Sequence, residues 1–195
     1  MTVRSGMVDL VSQFRSYVQE SGTTIFSDDR VQQILDSNSQ YVYQNPLSFF
    51  PQKLNGSVVY TQYFSEYQWL EGTATSTNKI YNSNGTAVTN YSSDFVLGKF
   101  TFDSNTQGTV YYLDSRTYNF YKAVSEGWRE KASYYAGQFD FKVEGREFKK
   151  SQVIQSCLSM AKEFASKGFT SSTRESLSFN TNLRFPSRTK RCKRG

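Results

Sequence analysis

At 195 residues the chain has room for one core, or for one domain carrying an insertion, and its modest hydrophobic fraction of 37% is offset by an aromatic share of 16% whose large rings bury more surface each. Histidine is absent and the two cysteines, Cys157 and Cys192, lie far apart, which disfavours histidine-based triads, most zinc sites and thiolate metal clusters. The charge of +6 is unevenly placed: of 23 Lys and Arg and 17 Asp and Glu, seven basic and one acidic residue lie from Gly168 onward, leaving sixteen of each sign before it.

In chain order, Met7, Leu10, Val11, Phe14, Tyr17 and Val18 mark an amphipathic helix over Gly6 to Glu20, stopped by Ser21-Gly22. Ser27-Asp28-Asp29 supplies a cap and negative charge for a second helix carrying Val31, Ile34, Leu35, Asn38, Tyr41 and Val42, with Pro46 ending the run. From Asn55 the pattern favours strands: 58–63, 67–70, 79–81, 94–96, 99–102 and 109–113. Asn84-Gly85 and Asn105-Thr106-Gln107-Gly108 are suited to the positive-φ positions of hairpin turns.

Helical spacing resumes at Ser115 with Tyr118, Tyr121, Val124, Trp128, Ala132 and Tyr135, where Gly127 marks a close-packing or bend point and Gly137 an end. After a short connection a last helix carries Val153, Ile154, Cys157, Leu158, Ala161, Phe164 and Ala165, capped by Gly168. Beyond it periodicity is lost, and a segment this polar cannot offset its own ordering entropy without a surface to order against. The expected fold is α+β: a bundle of about four helices (residues 1–53 and 114–167), an inserted small antiparallel β domain (54–113) and an extended basic C-terminal tail (168–195). No 18-residue apolar stretch occurs and residues 1–6 lack the apolar run of a signal peptide, so neither a membrane span nor a leader is expected. Cys157 on an apolar helix face and Cys192 in a polar run suit a reducing compartment.

The order of these elements, and above all the stretch Phe139-Asp140-Phe141-Lys142-Val143-Glu144-Gly145-Arg146-Glu147-Phe148-Lys149-Lys150-Ser151-Gln152, resembles the head-tail connector (head-completion adaptor) family of tailed bacteriophages. There an aromatic-Asp-Phe turn is followed by Gly, an aromatic, a basic pair and Ser-Gln opening the last helix. Asp28-Asp29 with Val31 and Ile34, then Pro46-Leu47, is similar to the family's second helix and exit loop. The resemblance covers roughly Met7 to Lys167 and implies a helical bundle carrying a β domain. It also implies a ring, usually of twelve copies, assembled in the host cytoplasm and sited in the virion neck between the portal protein and the next neck or tail protein. Packaged DNA passes through its channel without sequence-specific binding, and no cofactor, reaction or membrane is involved.

On this reading Leu183, Arg184 and Phe185 are the anchor by which the tail docks on portal or on a neighbouring copy, with Arg188, Lys190 and Arg191 as charged partners. In the turn motif Gly145 permits a tight reversal that Phe141 and Phe148 clamp from both ends, and Ser151 caps the helix that follows. That turn serves either subunit contact or simple connection.

Two other classes stand beside this one. The basic end could contact nucleic-acid phosphates, with steep salt dependence, although its charge is confined to a terminus. Tyr60, Tyr63, Tyr67, Trp69 and Tyr81 could form a carbohydrate-binding module, although rings at strand spacing more often fill a sheet core. An enzyme is disfavoured, since Glu66, Glu71, Asp94 and Asp103 form no recognisable constellation.

Overall fold

The computed structural model describes residues 3–73, 79–137, 141–143, 146–148 and 150–168. Ser5–Met7 form a 3-10 turn that runs into α1 (Val8–Tyr17), and α2 follows at Asp28–Ser37. Ser27 caps α2 as its sequence suggests, its hydroxyl accepting from the Arg30 amide at 3.2 Å. The helix then stops earlier than its apolar spacing implies. Asn38 turns its side-chain amide back on the Ile34 carbonyl at 3.0 Å, and Ser39–Pro46 becomes strand β1. Tyr41 and Val42 therefore belong to a sheet rather than to the second helix.

Strands β2 (Ser48–Leu54), β3 (Ser57–Phe64), β4 (Ile80–Asn82), β5 (Ala87–Val88), β6 (Tyr91–Asp94), β7 (Lys99–Phe102) and β8 (Tyr111–Tyr118) complete two four-stranded antiparallel sheets. Their orders are β1-β8-β4-β5 and β2-β3-β7-β6. The β2–β3 reversal uses Asn55 and Gly56, both at positive φ (50° and 83°), a turn whose twist matches that of the strands it joins. Pro51 falls at the register shift of edge strand β2, where a missing N–H breaks no ladder. The strands thus run from Ser39 to Tyr118, wider than the 54–113 interval expected.

Two further expectations change. Gln107 and Gly108 do take positive φ, but the loop they form crosses from β7 in one sheet to β8 in the other and closes no hairpin. Residues 67–70 and 94–96 are not regular strands throughout. Trp69 and Leu70 donate their amides to Val96 and Phe95, while Leu70 bridges to Thr117, so this stretch links both sheets. Between the sheets lie Leu47, Tyr63, Leu70, Ile80, Phe95, Phe100, Phe102 and Leu113. Phe102 stacks on Tyr111 at 4.6 Å, and the buried Tyr63 satisfies its hydroxyl by donating to the Thr109 carbonyl at 2.8 Å.

The segment from Ser115 is strand as far as Tyr118, not helix. Helix α3 (Phe120–Ala136) starts only after Asn119, whose side chain accepts from the Lys122 amide. A hairpin of β9 (Phe141–Val143) and β10 (Arg146–Phe148) then leads to α4 (Lys150–Gly168). Ser151 consequently lies inside the first turn of α4 rather than ahead of it. The Ser125 hydroxyl reaches the Ala161 carbonyl at 2.7 Å and the Asn119 amide reaches that of Gly168 at 3.0 Å, so α3 and α4 are antiparallel.

The four helices close over a second cluster that includes Leu10, Phe14, Phe26, Val31, Leu35, Val124, Trp128, Cys157 and Phe164. Gly127 is a close-packing point: a Cβ there would stand 2.5 Å from the Phe14 ring. Lys131, although buried, is satisfied by donating to the Val18 and Gln19 carbonyls at the end of α1. Trp69 stacked on Phe120 at 3.8 Å joins the helical cluster to the strands.

Candidate functional site

The densest group of charges ties the N-terminal segment to both layers. Arg4 makes a bidentate pair with Asp36 of α2 at 2.8 and 2.6 Å and reaches Glu71 at 3.0 Å. The Tyr118 hydroxyl donates to Glu71 at 2.8 Å, and Arg116 stands 3.5 Å from Asp36. The Arg4 guanidinium holds the Asp36 carboxyl below its ordinary value against the opposing effect of burial, while burial and then Glu71 push the Tyr118 phenol up. Two arginines face two carboxylates, so the group is self-neutral and its chemistry is that of a latch.

The outer face of the first sheet is different. Along β8 Leu113, Ser115 and Thr117 are buried, so the alternate residues Tyr112, Asp114 and Arg116 point to the other side. Tyr41 stands opposite Arg116 and Tyr81 opposite Tyr112 in the ladders, which gathers three tyrosines on that side. Tyr43, two residues beyond Tyr41 with the buried Val42 between them, is the fourth, and a bulge follows it. Between Val42 and Asn45 the register shifts, Gln44 takes φ +48°, and its amide donates to the Asp114 carboxylate at 2.7 Å. Tyr43 and Gln44 then line, with Tyr81, Asn82, Ser83, Tyr112 and Asp114, an open hollow of about 460 Å³. Tyr41 and Tyr43 are 65% and 66% exposed, unusual for rings of this size. Burial first, then Asp114, Tyr81 and Tyr43, push the Tyr41 phenol up while Arg116 opposes them.

A second exposed surface lies on the other sheet. The β2–β3 hairpin presents Phe49, Phe50, Leu54 and Val58 to solvent, the last two at 60% and 53% exposure. Phe49 is steadied by edge contacts with Tyr60 and Tyr63 at 5.4 and 6.0 Å. Strand β2 is also the edge of its sheet.

The residues singled out from sequence fare unequally. Phe141 and Phe148 are directly opposed in the β9–β10 ladder, as a clamp across the turn requires of the backbone. Gly145 and the tail residues Leu183, Arg184, Phe185, Arg188, Lys190 and Arg191 lie outside the described residues. Of the aromatic set considered for sugars, Tyr63 and Trp69 are buried, Tyr60 and Tyr67 half-buried, and only Tyr81 belongs to the tyrosine face. Tyr41, Tyr43 and Tyr112 were not singled out as site residues: helical spacing claims the first, and Tyr43 joins it only once β1 is a strand that alternates sides. Among the carboxylates, Glu71 is taken up by the latch and Asp94 accepts the Leu97 amide of its own turn, while Glu66 and Asp103 are exposed.

Among the described residues no group of three or more acidic, cysteine or histidine side chains could hold a metal ion, and no helix is long and apolar enough to cross a membrane. Comparison of the chain with protein-family models, with curated proteins and with solved structures returns no match in any of the three.

Proposed function

We propose that this chain is a non-catalytic structural subunit of a tailed-phage neck, forming a ring of about twelve copies between the portal protein and the next neck or tail protein, with packaged DNA in its channel. In this reading the helices are the bundle, the strands of 39–118 are the unit inserted into it, and residues 168–195 are an extension that docks outside the body. The observation that carries the reading is the pair of chemically unlike surfaces on the two sheets, apolar on the β2–β3 hairpin and tyrosine-rich around the β1 bulge. Copies related by rotation meet through two different surfaces, whereas a two-fold dimer needs only one that is self-complementary. Tyrosine suits such contacts because it combines large buried area with a polar end.

The connector resemblance adds to this. Its most specific stretch falls on the β9–β10 hairpin between the two longest helices, with Phe141 and Phe148 opposed in register. The test is the size of the purified chain by mass photometry, alone and mixed with portal protein. A discrete high-order oligomer, or a complex formed only with portal, is the expected result. A monomer in both mixtures contradicts the proposal.

A further inference from the structure

The tyrosine face raises the question of what covers it, and the chain itself contains a suited ligand. We propose that the hollow lined by Tyr43, Tyr81, Tyr112 and Asp114, with Tyr41 beside it on the same strand face, is the docking site for the basic C-terminal segment of an adjacent copy, residues 184–194. This rests on the ring proposed above and names the two sides of one of its contacts.

Charge complementarity is the first argument. Up to Gly168 the chain carries equal numbers of acidic and basic residues, and the excess lies in Arg174, Arg184, Arg188, Lys190, Arg191, Lys193 and Arg194. A guanidinium or ammonium group is attracted to the negative face of a phenol ring, and arginine also stacks flat on it. Four phenols and the Asp114 carboxylate therefore make a surface matched to such a segment. Arg116 on this face is turned to Asp36 and Glu71 at 3.5 and 3.9 Å.

The second argument is where the segment starts. Helix α4 ends at Gly168, whose carbonyl accepts from Asn119, the residue just after β8. The pair Ser39 and Tyr118 lies beside this point, and the tyrosine face extends from there along the same two strands. Six residues separate Tyr118 from Tyr112, about 20 Å of strand. Sixteen residues separate Gly168 from Arg184, which can span about 50 Å. The basic run can thus pass the far end of its own sheet, a reach suited to the face of a neighbour.

The third argument is the cost of the face itself. Gln44 is held at a positive φ that a non-glycine residue rarely adopts, in a bulge next to Tyr43 where its amide meets Asp114. Strain retained at an aromatic surface is what a binding role would explain.

Cys192 provides the probe, because it lies within the basic run while Cys157 is buried in the helical core and its thiol is pushed up by burial. Full-length chain carrying a benzophenone maleimide on Cys192 is mixed with an unlabelled copy that is uniformly ¹⁵N-labelled and carries Cys192→Ser. After irradiation, mass spectrometry locates the links. They are expected in peptides containing residues 41–44, 81–85 and 112–114 of the heavy copy. Tyr41→Ser with Tyr43→Ser in the heavy copy is expected to lower the yield by about fivefold or more, the loss of two exposed cation–π contacts. Arg188→Ser with Lys190→Ser and Arg191→Ser in the light copy tests the other side in the same way. Links at other surfaces, links confined to one copy, or yields indifferent to these variants overturn the docking. Size is read on the same samples: rings with scattered links sink the docking alone, whereas a monomer sinks the ring and with it any docking between copies.

Discussion

Asn119 concentrates several roles in one side chain and one amide. Its backbone N–H donates to the Asn38 carbonyl at 2.8 Å, its Oδ1 caps α3, and its Nδ2 holds the end of α4. Asn119→Ala should therefore cost about 1–2 kcal/mol in urea denaturation, the upper part of the range for a lost N-cap. Gly127→Ala reverses a familiar sign. In an exposed helix that change gains about 1 kcal/mol, but here the added methyl meets the Phe14 ring and Val18, so we expect a net loss of about 1–3 kcal/mol. Asp36 makes a pH prediction. Because Arg4 lowers its affinity for a proton in the folded state, its contribution is complete above the ordinary carboxyl value of about 4 and is lost as pH falls through the lower folded value. Asp36→Asn should lower the melting temperature at neutral pH and flatten its fall in acid. An unchanged acid limb in thermal melts would remove the latch from the account.

Among the elements, what was legible in sequence is what is locally determined. Ser27 caps α2, Asn84-Gly85 turns the β4–β5 reversal, and the stripes of α1 and α4 bury the faces their spacing marks, except that Leu158 of the α4 stripe stays exposed. Strand β1 was illegible because Tyr41 and Val42 also satisfy helical spacing, and the deciding partner, β8, lies about seventy residues away. The start of β8 was legible but its end was not, since Tyr118 fits the helical stripe of α3 equally well. Long-range pairing overrides a local pattern in both cases. The part of the tyrosine face that Tyr41 and Tyr43 supply depends on that pairing, so it was hidden together with β1. The β2–β3 hairpin gives the prediction at this scale. Leu54→Ser with Val58→Ser changes two exposed side chains and should leave folding stability within about 0.5 kcal/mol per site. The same pair should abolish assembly in size-exclusion chromatography. Retained assembly would remove the hairpin from the interface.

Across the whole molecule, one hydrophobic cluster lies among the helices and another between the sheets, and the two are joined by the Trp69–Phe120 stack and the Arg4 latch. The stack and the latch tie the two sheets to the helices through named contacts, and the proposed ring would need such ties to hold the tyrosine face and the hairpin in one arrangement in each copy. The ring is the central claim, and rotational symmetry tests it most directly. Electron micrographs of the full-length chain mixed with portal protein should give class averages of a ring stacked coaxially on the portal, with about twelve repeats around an open channel. Class averages showing bare portal, with the chain remaining as single copies in solution, would contradict it.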